Sequence, residues 1–131
     1  MLAATGNAGY AASRDGGRTW DTTAAGMHGS YARAIALANG HVLVSSSTGP
    51  RSNDGAVYRR AIDDQAAFEP IGAGLPGRFD GNVDTATIAG AGDEAAVVGP
   101  DGAAYRSHDA GATWEQVGSD LLRPRWALLV A

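Results

Sequence analysis

Apolar residues along this chain come in short runs broken by glycine, asparagine and aspartate. Leu2 to Thr5, Gly9 to Ser13, Ala32 to Leu37, His41 to Ser46, Ala56 to Arg60, Thr85 to Ala89, Glu94 to Gly99, Ala103 to Ser107 and Arg125 to Val130 are either alternating or briefly continuous. Such runs, bounded by turn residues, predict strands, and none is long enough for a good helix. Asn7-Ala8-Gly9, Asn53-Asp54-Gly55 and Pro100-Asp101-Gly102 stand just before the tyrosine-bearing runs, where hairpin turns belong. The 19 glycines are about twice the usual share, as many tight turns require. An all-β chain is predicted, and 131 residues suffice for a single domain.

Repetition organises these strands. Ser13-Arg14-Asp15-Gly16-Gly17-Arg18-Thr19-Trp20 and Ser107-His108-Asp109-Ala110-Gly111-Ala112-Thr113-Trp114 both read S-x-D-x-G-x-T-W. Between them Tyr58 to Glu69 forms a decayed copy, with Tyr58 and Phe68 standing for Tyr10 and Trp20 before and Tyr105 and Trp114 after. A period of about 47 residues suits propeller blades or a helical array, and the strand pattern selects blades. The predicted fold class is therefore all-β, a partial β-propeller of about three four-stranded antiparallel blades. Blade one covers 1–24 and is completed by 125–131, blade two covers 31–73 and blade three 82–118.

On these boxes the chain resembles the Asp-box (BNR) repeat propellers, a group that includes sialidases, sortilin-type receptors and photosystem II assembly factor-like proteins. Tyr31 to Leu37, Val42 to Ser45 and Gly49-Pro50 also look like sialidase-type repeat proteins of GC-rich bacteria. The resemblance covers nearly the whole chain, specifically at the first and last boxes and weakly at the middle one. It implies a box that is structural and lies away from the ligand face. It also implies six or seven blades, so the chain is expected to be the C-terminal part of a larger propeller.

The chemistry of the box is that of a turn. Asp15 and Asp109 are suited to accept hydrogen bonds from nearby amides, the hydroxyls of Ser13, Thr19, Ser107 and Thr113 to join them, and Gly17 and Gly111 to adopt positive φ. Trp20, Phe68 and Trp114 are expected to fill the gaps between sheets. A site, if present, is expected at the opposite end, on loops carrying His28, Tyr31, Arg33, Arg51, Asp54, Arg78, Asp80, Asn82, Asp84, Asp101, Arg123 and Arg125. Of these, Arg33, Arg51, Asp54, Asn82, Asp84 and Arg125 are the ligand-binding candidates. Arg33, Asp84 and Arg125 take equivalent places in successive blades, an arrangement able to pair charges across the rim or to grip a carboxylate. A sialidase-like mechanism would use Tyr31 as nucleophile and Asp84 as acid, but needs a glutamate beside the tyrosine, and Glu69, Glu94 and Glu115 lie elsewhere on the strands. A non-enzymatic binding or scaffold module is the leading reading, and a sialidase-like glycoside hydrolase, or the remnant of one, is the alternative.

Charge and composition narrow the partners. A net charge of −4 with pI near 5.1 argues against nucleic acid. All ten cations are scattered arginines, as a GC-rich coding bias produces. The absence of cysteine removes disulfides and thiolate chemistry. His28, His41 and His108 lie too far apart in sequence for a local metal site, so no metal and no cofactor is expected. Met1 to Tyr10 has neither the basic start nor the apolar core of a secretory signal, and no run is long enough to span a bilayer, so a soluble, cytoplasmic protein without membrane partners is expected. The expected partners are a carbohydrate or protein ligand on the channel face and a second copy through the open blade ends.

Overall fold

Eleven antiparallel strands make up the computed structural model, which describes residues 1–122 and 124–130, and no helix occurs among them. Sheet one contains β1 (Leu2–Thr5), β2 (Gly9–Ala12) and β3 (Asp21–Thr23). Sheet two contains β4 (Tyr31–Ala38), β5 (His41–Ser47), β6 (Ala56–Ala61) and β7 (Glu69–Pro70), and sheet three contains β8 (Ile88–Ala91), β9 (Glu94–Val98), β10 (Ala104–Ser107) and β11 (Glu115–Gly118). In each sheet spatial order follows chain order, so each is a simple meander. The β4–β5 hairpin closes on Asn39 and Gly40, with φ of 32° and 73°. Asn-Gly is favoured there because both central residues of a two-residue turn need positive φ to match the strand twist.

The sheets pack in sequence, with β4 against both β1 and β8. The pleat of the middle sheet explains how. Val42, Val44, Ala56 and Tyr58 point one way and join Tyr10 and Phe68, whereas Ala34, Leu43 and Val57 point the other way and join Ala95, Val97, Tyr105 and Trp114. Each fully buried Val or Leu contributes about 1.5–3 kcal/mol, so the middle sheet binds its neighbours on both faces. Three buried serines on β5 do not break this pattern, because each is satisfied. Ser45 Oγ accepts the Ala34 amide (3.0 Å) and donates to the Val83 carbonyl (2.8 Å), while Ser46 and Ser47 donate to the Gly29 and Gly49 carbonyls. The Ala34 amide is available because the β4–β5 register shifts between Ala32 and Ile35.

Three expectations need correction. Arg125 to Val130 forms no strand, and sheet one has three strands, so the expected fourth is not in place. The segment instead lies beside sheet three, where the Ala127 amide donates to the Ala86 carbonyl at 2.6 Å. The run predicted from Thr85 begins as a strand only at Ile88, because Asp84 to Thr87 closes into a turn that holds the Thr87 amide on the Asp84 carbonyl. Trp20, expected between sheets, is 41% exposed, whereas Phe68 and Trp114 are buried. The reason is tertiary: Phe68 and Trp114 pack on the sheet before their own, whereas among the described residues no second sheet lies over Trp20.

Candidate functional site

The strand register defines two ends of the molecule. At one end lie the ends of β2 and β10 with the octapeptides, together with the starts of β5 and β9. At the other lie the start of β4, the end of β5, the start of β6 and the loops between sheets.

At the first end both octapeptides form the same wiring. Ser13 Oγ donates to Asp15 Oδ1 (2.9 Å) and accepts the Gly17 amide (2.7 Å), and Asp15 accepts the Arg18 and Thr19 amides and the Thr19 hydroxyl. Ser107, Asp109, Gly111 and Thr113 repeat this, with Thr113 giving its amide at 2.8 Å and its hydroxyl at 2.6 Å to Asp109. Gly17 and Gly111 have φ of 92° and 83°, and the indole Nε1 of Trp20 and of Trp114 donates to the carbonyl of its own box glycine. The amide and hydroxyl of Thr19 hold the Asp15 carboxyl at about 2, and the hydroxyl and amide of Thr113 do the same for Asp109. Carboxylates so held are turn braces. Beside the second box Glu94 pairs with Arg106 (2.9 Å) and His108 (2.8 Å), and His108 also reaches Glu115 (3.4 Å).

At the opposite end the structure brings together three of the predicted residues. Arg33 Nε lies 2.8 Å from Asp84 Oδ1, with side chains 32% and 55% exposed, and the Arg33 guanidinium lies 5.8 Å from the Tyr31 ring centre. Thr85 Oγ1 donates to the Arg33 carbonyl at 2.8 Å, fixing the segment that carries Asp84 against β4. Arg33, Asp84, Thr85, Thr87, Pro124 and the exposed Arg125 line a shallow open depression.

Other candidates are used internally. Asn82 Nδ2 donates to the Gly49 and Pro50 carbonyls (both 3.2 Å), bracing the loop on which the exposed Arg51 sits. Burial opposes ionisation of Asp54, but the Thr48 hydroxyl and amide, the Ser52 hydroxyl and neighbouring His28 outweigh it and hold the carboxyl at about 2. Asp54 and Asn82 thus brace these loops. Arg123 lies outside the described residues.

One cluster escaped the sequence reading. His28 Nδ1 lies 2.5 Å from the hydroxyl of buried Tyr58, its ring stacks on the tyrosine at 6.0 Å, and its Nε2 lies 3.4 Å from Asp54 Oδ2. The sequence reading placed His28 and Asp54 on the loops of this end and Tyr58 in the decayed repeat, without joining them. The side chain of His28 is only 18% exposed, and the chain Tyr58–His28–Asp54 joins the loop after sheet one to sheet two. The available signal was local: Ala25-Gly26-Met27-His28-Gly29 recurs as Ala73-Gly74-Leu75-Pro76-Gly77, with histidine in place of proline in the first copy alone.

Among the described residues no cluster of three or more His, Asp or Glu side chains is set to hold a metal ion. Comparison with protein-family models, with curated proteins and with solved structures finds no match to this chain.

Proposed function

We propose that the chain is a three-blade segment of an Asp-box β-propeller that serves as a binding or scaffold module and does not turn over a substrate. Three meanders packed in chain order, with octapeptide turns at the same corner of sheets one and three, support the propeller reading. One observation carries the preference for binding over hydrolysis. All three glutamates, Glu69, Glu94 and Glu115, lie at the octapeptide end: Glu69 and Glu115 begin the last strands of their sheets opposite Arg59 and Arg106, and Glu94 pairs with His108. Tyr31 at the other end thus lacks the carboxylate that a tyrosine nucleophile needs.

The depression at Arg33, Asp84 and Arg125 supplies two cations and one carboxylate in an open, partly solvated setting. Such a setting suits recognition of an anionic group on a carbohydrate or protein, with the guanidinium exchanging Asp84 for a ligand carboxylate. Titration with sialylated and neutral glycans is expected to show weak binding of the acidic ones that Arg33→Ala abolishes. A panel of fluorogenic sialosides and other glycosides is expected to show no turnover. Hydrolysis removed by Tyr31→Phe or Asp84→Asn would restore the glycosidase reading.

A further inference from the structure

We propose that the cleft between sheets one and two, at the octapeptide end of the molecule, binds a small acidic amino acid, with its carboxylates on Arg60 and Arg14 and its ammonium on Asp21. The cleft is walled by β2 and β3 on one side and by the end of β6 and the turn after it on the other, and has a volume of about 140 Å³. A closed cavity of about 150 Å³ takes a guest the size of benzene, so an open cleft of this size suits a ligand only slightly larger. It lies at the other end of the sheets from Arg33 and Asp84 and is independent of the depression there.

The decay of the middle box explains the gap. Where sheets two and three meet, the intact box is seated: Arg59 Nε donates to the Ala110 carbonyl at 2.9 Å, and Gly111 meets the side chain of Leu43 so closely that a Cβ would stand 2.7 Å from it. Aligning Ala61 to Phe68 with Ser107 to Trp114 puts Asp64 at the place of Ala110, Gln65 at that of Gly111, and Ala11 at that of Arg59. An alanine cannot reach across as Arg59 does, and a glutamine cannot seat as glycine does. Gln65 instead lines the cleft that results.

Arg60 is held in place but not neutralised. Its guanidinium lies 4.4 Å from the ring centre of Phe68 and 5.0 Å from that of Tyr10, and Nη1 donates to the Ala66 carbonyl at 3.1 Å, while the buried Nε has no hydrogen-bond partner. Arg106 takes the same place in sheet three, where Glu94 pairs with it. The registers Ser107–Ala95 and Ala61–His41 put Gly40 where that glutamate would stand in sheet two. Among the described residues Arg14, Asp21 and Arg60 enter no ion pair, although all three line the cleft. A guanidinium stacked on two rings and partly desolvated lacks a counter-charge, and because it is already immobilised, gripping a carboxylate costs it little side-chain entropy. Two cations and one carboxylate complement two carboxylates and one ammonium, the charge pattern of aspartate and glutamate. Asp21 repels a plain dianion and so selects the ammonium.

Titration of the isotope-labelled chain with L-aspartate and L-glutamate, followed by amide NMR, is expected to shift Thr22, Thr23, Ile62 and Gln65 to saturation. Succinate, which lacks the ammonium, and alanine, which lacks the second carboxylate, are each expected to bind about tenfold more weakly. Arg60→Met keeps an unbranched stem over Phe68 while removing the charge, and is expected to abolish the shifts. Arg14→Ala and Asp21→Asn alter exposed side chains; with circular dichroism unchanged, each is expected to weaken aspartate binding about tenfold, and Asp21→Asn to erase the preference for aspartate over succinate. Silence at those four amides, shifts confined to Arg33, Asp84 and Thr85, succinate binding as tightly as aspartate, or an aspartate affinity untouched by Arg14→Ala and Asp21→Asn would each overturn the proposal.

Discussion

The two octapeptide turns share their hydrogen bonds but not their surroundings. In both, an aspartate collects the amide and hydroxyl of a threonine four residues on. Yet Trp114 is 7% exposed and Trp20 41%. The box of sheet three sits on sheet two, with Trp114 N on the Ala73 carbonyl, Arg59 Nε on the Ala110 carbonyl at 2.9 Å and Gly111 against Leu43. The box of sheet one has no such seat. Eight residues are thus enough to specify the turn, whereas the apolar contribution of its tryptophan depends on the sheet that receives it.

The largest expected divergence between the boxes is in their tryptophans. Trp114→Ala empties a site between two sheets and is expected to cost about 3–5 kcal/mol in urea unfolding, while Trp20→Ala is expected to cost under about 1 kcal/mol. Equal losses would mean that the seat on sheet two contributes nothing to the box.

The aspartates should diverge less. Asp109→Ala leaves the Ser107 hydroxyl and the Thr113 amide without their acceptor beside a packed interface, and is expected to lower stability by about 1–3 kcal/mol. Asp15→Ala frees equivalent groups where water replaces the carboxylate, so its melting temperature should fall less. Neither should change ligand affinity in the folded protein.

Acid should abolish the divergence. Both carboxyls are held at about 2 in the fold, against about 3.9 in an unfolded chain. Their contribution is complete above the unfolded value and is lost as pH falls through the folded one, between about pH 4 and pH 2. Solvent screening keeps it small at these exposed turns. Thermal melts across that window should show Asp15→Asn and Asp109→Asn each flattening the pH dependence to a similar degree, whatever the burial of the neighbouring tryptophan.

What sequence could reveal follows the same division. The boxes, the meander order and the β1–β2 turn were legible because each is specified by residues adjacent in the chain: Ser13 to Trp20, short apolar runs such as Val42 to Val44, and Asn7-Ala8-Gly9. The exposure of Trp20 and the failure of Arg125 to Val130 to form a strand were not, because both depend on which sheet edge lies nearby. At the candidate site, the Arg33–Asp84 pair followed from aligning equivalent strand starts. The bracing roles of Asp54 and Asn82 depend on loops that meet only after packing, as does the contact of His28 with Tyr58. Read only as the repeat equivalent of Tyr10 and Tyr105, Tyr58 offered no reason to look for a partner on its hydroxyl.

The double coverage of the middle sheet has a kinetic consequence. From Val42 to Ser47 every residue of β5 is buried and both of its edges are paired, to β4 and to β6. No local fluctuation lets solvent reach those amides, so in deuterated buffer they should exchange only when the whole chain opens. The slowest protons of β5 therefore report the global free energy of unfolding directly, and they should be the last signals to fade from a spectrum.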